Sequence, residues 1–454
     1  MVGLAEHAPV AALAAPDPAA VAAPVGVSGG AGGVGGGVGV RLGRLGLGSH
    51  GSSSLDSRSG DHYCEAAARV RLGPGFFRPQ SRPSRDLGVL LARALAADGP
   101  LAERPLRVLD AMAGCGIRGL RLALEAGAAA VWANDADPDR LPLLQANLAP
   151  LGAAGCELRT TALTAQQLLA GCLERRQRFE LVDLDAFGCP TALVPLALEA
   201  VALDGVLVLA STDGRSPTGH DRPAAVRRFG AAARAHPASW ELALRLQIGS
   251  VARCAWALGR GVEPLLAFSE GRTFRTAVRL RRHPAQGEEG LLGLLALCHG
   301  CGDQQVQPLL SLRQWQPCRC PAGSAPPLAI SGPLWIGPLQ HPPTLAAMAR
   351  QAAAVPASAS PATLRLLRSL GNDAGLPARC WPLGEIARRL GRGGPPKLAA
   401  LVDALRQRGH SAGASGVMAG QLRSDAPWPL ILELAAAAAG DAAAGDPAAG
   451  DTAK

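Results

Sequence analysis

The apolar positions of this chain fall into short unbroken runs, each closed by an acid or a small residue and followed by helical spacing. Leu106-Arg-Val-Leu-Asp110 is one such run, and an amphipathic pattern follows it from Ile117. Ala130-Val-Trp-Ala-Asn-Asp135, Glu157 to Thr161, Leu181-Val-Asp-Leu184 and Gly205-Val-Leu-Val-Leu-Ala-Ser211 repeat the form. Between and after them, helical spacing covers Leu87 to Ala96, Leu163 to Leu173 and Trp240 to Leu258, and a basic helix is predicted from Arg227 to Arg234. Pro138 predicts the start of a helix to Leu148 that Pro142 must distort. Near-continuous apolar strands alternating with helices are the mark of a parallel sheet covered on both faces. Pro264 to Ser269 and Phe274 to Leu280 alternate instead, which predicts a closing strand pair. The expectation is a doubly wound, seven-stranded α/β domain over 61–283.

The two ends break this pattern. Residues 1–60 are Ala, Gly, Pro, Val and Ser without periodicity, and the stretch from 435 to 454 is an alanine-rich Gly-Asp tail. Both are read as disordered, because they offer too little apolar surface to offset chain entropy. Between 284 and 434 a smaller α+β domain is expected.

Composition adds three constraints. With 454 residues and 48% hydrophobic content the chain has material for full cores. No run of about 18 strongly apolar residues crosses it, and its start lacks the plan of a secretory signal, so a cytoplasmic protein without a membrane partner is expected. Forty-five basic against 36 acidic residues give a charge of +9, which favours a polyanionic partner or reflects a GC-rich genome. Nothing in the sequence calls for an obligate protein partner.

Chemistry concentrates at the predicted strand ends. Phe179-Glu-Leu-Val-Asp-Leu-Asp-Ala-Phe-Gly-Cys-Pro190 delivers Asp185 and Phe187 to the carboxyl edge of the sheet, where open α/β proteins bind ligands. An acid beside an aromatic suits a flat base with an exocyclic amine; the alternative is a plain strand end and turn. Gly114, Gly116 and Gly119 match G-x-G-x-x-G, and Asp135 follows Gly114 by 21 residues, where a carboxylate can accept ribose hydroxyls. Asp110 before that turn would repel a pyrophosphate but suits an ammonium and a sulfonium, which favours S-adenosylmethionine over a nicotinamide dinucleotide. Upstream, Phe76-Phe-Arg-Pro-Gln-Ser-Arg-Pro-Ser-Arg85 reads as a substrate lip or as ordinary core and surface.

Two features lie beyond the sheet. Cys298-His-Gly-Cys301 and Cys318-Arg-Cys320 stand sixteen residues apart, near the spacing of a four-thiolate zinc site, with His299 as a substitute ligand and free thiols as the other reading. Leu383 to Leu390 and Lys397 to Arg408 read as two helices about a turn. Arg388, Arg389, Arg392, Lys397, Arg406 and Arg408 there would grip phosphates or form a solvated face.

Taken together these stretches resemble the tRNA guanine-26 N2-dimethyltransferase family. The resemblance rests on F-x-x-P with Arg85-Asp-Leu87, Val108-Leu-Asp110 with the turn to Arg118, Asn134-Asp135 and Asp-x-Asp-x-Phe-Gly-x-Pro190. It continues through the cysteine pairs, Gly332-Pro-Leu-Trp-Ile-Gly-Pro-Leu339 and Ser424-Asp-Ala-Pro427, spanning about residues 70 to 430. It implies a class I, Rossmann-like methyltransferase domain, a C-terminal tRNA-binding domain and a zinc site at their junction. It also implies that Arg85, Arg118 and Asp135 hold S-adenosylmethionine with Ala162 near the adenine, that Asp185 is the catalytic acid, and that Phe76 and Phe187 flank the guanine. The chain departs from the family at Ala186, where a proline is usual, at Thr161, where an acid is usual and here only an uncharged oxygen is offered, and at Gly413-Ala-Ser-Gly416, which replaces a basic stretch. A tRNA-binding protein without catalysis and a nicotinamide-dependent oxidoreductase are the alternatives to a methyltransferase.

Overall fold

The computed structural model describes residues 62–318, 320, 326–391 and 394–444. The expectations for 1–60, for 445–454 and for Arg392 lie outside the described residues. A hairpin, β1 (His62–Glu65) and β2 (Ala68–Arg71), precedes the main sheet. That sheet comprises β3 (Arg107–Asp110), β4 (Ala130–Asn134), β5 (Glu157–Thr161), β6 (Phe179–Ala186), β7 (Val201–Ser211), β8 (Gly261–Glu270) and β9 (Thr273–Arg281). The order is β5-β4-β3-β6-β7-β9-β8, and only β9 runs against the rest. This is the mixed seven-stranded sheet of class I methyltransferases, as the periodicity predicted. Its switch point lies between β3 and β6, where the strand order reverses and a ligand crevice forms.

Both faces are covered, which is why β6 is buried almost throughout. Leu109, Val182 and Leu184 face one core with Leu244, Ile248 and Val251 of the helix Ser239–Ala257. Val108 and Leu181, one pleat over, face a second core with Leu120 of the helix Ile117–Ala126. Asp110, Asp183 and Asp185 continue this second row, so three carboxylates share one face at the sheet's carboxyl edge.

Several element ends differ from expectation for local reasons. Pro142 does not distort a helix: a 3-10 turn, Pro138–Arg140, comes first, and Pro142 falls in the first turn of Leu141–Leu148, where no amide bond is lost. The basic helix is Arg222–Phe229, stopped by Gly230 at φ 57°. The helix predicted from Leu87 begins at Arg82, and the last helix, Trp428–Ala444, runs past the expected tail boundary at 435.

Beyond the main sheet, β10 (Leu292–Leu297), β11 (Gln304–Pro308) and β12 (Ala329–Trp335) form a sheet of order β11-β10-β12. Trp335 and Leu339 enter the first core of the main sheet. A third sheet, β13 (Cys380–Pro382), β14 (Ala412–Ala414) and β15 (Gln421–Ser424), has order β13-β15-β14 and packs with the helices Leu383–Leu390 and Leu398–Gln407. The anticipated helix pair is therefore real and closed by a small sheet. Among its basic residues Arg389 is committed internally, to Glu385 and the carbonyl of His299. Arg388, paired with Glu385, and Arg408 stay largely exposed. No helix among the described residues is long and apolar enough to cross a membrane.

Candidate active site

A cavity of about 730 Å3 opens at the carboxyl edge of β3, β4 and β6. Its floor is the turn after β3. Gly116 there adopts φ 82°, and a Cβ at that position would meet Leu144 at 2.8 Å, so a side chain would be strained by both backbone and packing. The amide of Gly114 donates to Asp135 Oδ2 at 2.9 Å, which ties the glycine turn to the acid that ends the second run. Asn134, fully buried, donates to the carbonyls of Ala111 and Leu163 and accepts from the Leu163 amide, stapling the loops after β3 and β5. Such a backbone cradle beside a carboxylate fits an adenosine-type cofactor bearing a cationic amino acid moiety.

Asp185 sits at the rim. Arg118 donates to its Oδ2 at 2.6 Å and Arg275, from β9, donates to the same oxygen at 3.3 Å. Oδ1 makes no hydrogen bond among the described residues. Burial would lift this carboxyl, but the two guanidinium groups reverse that and hold it down at about 2. Phe76 and Phe187 stand beside it, 66% and 76% exposed, with ring centroids 5.4 Å apart in an edge-to-face contact. Large exposed aromatics at a cavity mouth suit stacking on a flat base.

Ala186, where the family carries proline, lines the cavity as the last rung of β6, paired with Ser211. Thr212 Oγ1 accepts from the Gly188 amide at 2.7 Å, and Ser211 Oγ donates to the Gly188 carbonyl at 2.9 Å. The sheet and these two hydroxyls thus restrain the segment that a proline ring would otherwise stiffen.

The remaining anticipated residues divide. Arg85 lines the cavity, yet its guanidinium is gripped by Glu65 at 2.8 and 2.6 Å and stacks over Phe77. Asp110 does not reach the cavity. It lies beside Asp183, its registered neighbour, beneath Gly119 of the helix Ile117–Ala126, and burial followed by the Asp183 charge pushes it up to about 8. Burial raises Asp183 as well, opposed by Arg118. Gly116, Thr161 and Ala162 are also absent from the lining. The Thr161 hydroxyl accepts from Trp132 Nε1 and donates to Asn134, both at 2.8 Å, so it is turned inward. Thr164, Ala165 and Gln166 form that wall instead. Arg275 and Glu65 were not anticipated; neither lies in a recognisable motif.

The four cysteines converge. The sulfurs of Cys298, Cys301, Cys318 and Cys320 all lie within 4.8 Å of one another, with Cys298 and Cys320 at 3.7 Å. A tetrahedral zinc with arms of about 2.3 Å has sulfur–sulfur edges of about 3.8 Å, so the donor set fits such an ion without His299. Trp428 Nε1 donates to the Cys301 carbonyl at 2.8 Å and Trp381 Nε1 to that of Gly302 at 2.9 Å, and the two indoles stack. The cysteine loop therefore joins the second sheet to the C-terminal helices.

Fold and cavity together define a doubly wound methyltransferase-type protein. A family model described as N2,N2-dimethylguanosine tRNA methyltransferase matches residues 65–436, and the chain belongs to that family. The tRNA (guanine(26)-N(2))-dimethyltransferase of Thermococcus kodakarensis is 30% identical over 385 residues, covering 81% of this chain and 94% of that protein. Its counterpart in Aeropyrum pernix is 32% identical over 380 residues, covering 81% and 91%. The structure of Trm1 from Pyrococcus horikoshii with S-adenosyl-L-methionine superposes with a TM-score of 0.69 at 25% identity, covering 82% of this chain and 99% of that one.

Proposed function

We infer that this protein transfers methyl groups from S-adenosylmethionine to the exocyclic N2 of guanine 26 of tRNA, giving N2-methyl- and N2,N2-dimethylguanosine. The observation that carries the reading is one carboxylate oxygen, Asp185 Oδ1, without a hydrogen bond among the described residues in a glycine-floored cavity that the exposed rings of Phe76 and Phe187 also line. Family membership and the similarity to curated dimethyltransferases support it.

When bound, S-adenosylmethionine supplies an electrophilic methyl group. The turn at Gly114, the Asp135 carboxylate and the wall of Thr164 to Gln166 would hold it. Guanine N2 is a poor nucleophile because its lone pair is delocalised into the ring. Asp185 Oδ1 accepts an N2–H hydrogen bond, draws the nitrogen toward sp3 and fixes its direction. Phe76 and Phe187 hold the ring plane and keep water away. A carboxyl held as low as Asp185 is a weak base, so it orients the amine and passes the released N2 proton to solvent rather than keeping it. The exposed arginines of the C-terminal helices would contact tRNA phosphates, and the cysteine loop would carry a structural zinc. Work in the cytoplasm is consistent with this substrate.

The test is methyl incorporation into two tRNA transcripts that differ only at position 26. Guanine should be methylated and adenine not; equal incorporation would place the target elsewhere.

A further inference from the structure

Asp185, Ala210 and Arg275 occupy one cross-strand row of the sheet, on β6, β7 and β9. Side chains in one row share a face. Asp185 and Arg275 are separated by two strand spacings, about 10 Å between backbones, which an arginine spans only if the residue between is small. Ala210 is that residue, fully buried, and Arg275 reaches over its methyl group to Asp185 Oδ2.

Arg275 is itself aimed. Its Nε donates to Glu270 Oε2 at 3.1 Å, and Glu270 Oε1 accepts from the Ser84 amide at 3.2 Å. Glu270 and Thr273 are paired at the β8–β9 turn, so the carboxylate that steers Arg275 is fixed by the hairpin. Arg275 is 6% exposed, lines the cavity, and its Nη1 has no hydrogen bond. Arg118 meets the same Oδ2 from the helix Ile117–Ala126. The charged and titratable groups packed about Asp185 include Arg118 from that helix, Arg275 from β9 with Glu270 behind it, Asp183 on its own strand, and Asp110 on β3.

We propose that Arg275 is a positioning residue for methyl transfer: by holding Oδ2 of Asp185 together with Arg118, it turns Oδ1 toward the guanine amine and keeps the carboxylate charged beside two other acids. The proposal rests on the N2-methylation reading above. Arg118 alone would hold Oδ2 from one side only, leaving the carboxylate free to swing Oδ1 away from the amine.

The experiment compares Arg275→Gln and Arg275→Lys with the unchanged protein at about pH 7.5, measuring kcat and KM for tRNA, with tRNA affinity and melting recorded beside them. Arg275→Gln should lose about tenfold or more in kcat, with KM and tRNA affinity little changed. Arg275→Lys, which restores the charge without the fork, should recover part of kcat. A glutamine variant with unchanged kcat, a lysine variant no better than the glutamine one, or a loss of tRNA affinity at constant kcat would overturn the proposal. Production of N2-methylguanosine by the unchanged protein separates the two readings: its absence refutes the function, whereas its presence with an unimpaired glutamine variant refutes only the role of Arg275. Ala210→Leu, which blocks the reach of Arg275, should reproduce the loss in kcat; wild-type turnover there would also count against it.

Discussion

Phe76 and Phe187 meet edge to face across the cavity mouth, one from the loop after the first hairpin and the other from the turn after β6, more than a hundred residues apart. Centroids 5.4 Å apart leave no room for a base between the rings, since a sandwiched base needs about 7 Å. The rings must therefore part when guanine enters. Replacing either with alanine should remove a stacking contact of about 1–3 kcal/mol, and kcat/KM should fall on the order of tenfold to a hundredfold. Steady-state kinetics with full-length tRNA, alongside tRNA affinity, checks this. Overall tRNA binding should change far less, because most of it comes from phosphate contacts.

Asp185→Asn keeps the shape of the side chain and removes the charge. With a carboxamide, the Oδ2 position can no longer neutralise both arginines, and the amine loses its strongest acceptor. Loss of about 100-fold or more in kcat is expected. Calorimetric titration with S-adenosylmethionine should still show binding, because Gly114, Asp135 and Thr164 are untouched.

Asp110 should affect stability rather than cofactor binding. Its folded-state value of about 8 stands above the ordinary 3.8, so between these limits the folded chain keeps a proton that the unfolded chain gives up. Its contribution to stability therefore falls as pH rises from about 4 to about 8. Asp110→Asn lacks this penalty. Relative to the unchanged protein its melting temperature should rise progressively across that window, with the widest gap at its alkaline end. Thermal melts at pH 5, 6.5 and 8 read this directly, with cofactor affinity unaltered.

The cysteine cluster predicts one zinc per chain by elemental analysis. Removing the metal with a chelator, or Cys298→Ser, should lower the melting temperature and loosen the contact of Trp428 and Trp381 with the 298–302 loop. Indole fluorescence should report this. Turnover measured below the new melting point should stay within about threefold, since the cluster lies apart from the cavity lining.

Much of this was legible in the sequence because strand ends announce themselves. The run into Asp185 and Phe187, the Gly114 turn and Asp135 all follow from apolar runs that stop at a carboxyl edge, and the cavity gathers them. Asp110 and Thr161 miss the cavity for different reasons. Asp110 is level with buried Asp183, two residues short of the depth at which Asp185 on the same face reaches the cavity, and the Thr161 hydroxyl is taken by Trp132 and Asn134. Arg275 was not legible at all. Its contact with Asp185 spans ninety residues and exists only because the strand order places β9 beside β7 and because Ala210 is small. Glu65, which grips Arg85, belongs to a hairpin with no motif of its own.

The most direct test of the whole account is nucleoside mass spectrometry of unmodified tRNA incubated with S-adenosylmethionine and either the unchanged protein or Asp185→Ala. N2-methyl- and N2,N2-dimethylguanosine should appear with the unchanged protein and neither with the variant. tRNA that binds but gains no methyl on guanine N2, or a variant that methylates as well as the unchanged protein, would contradict it.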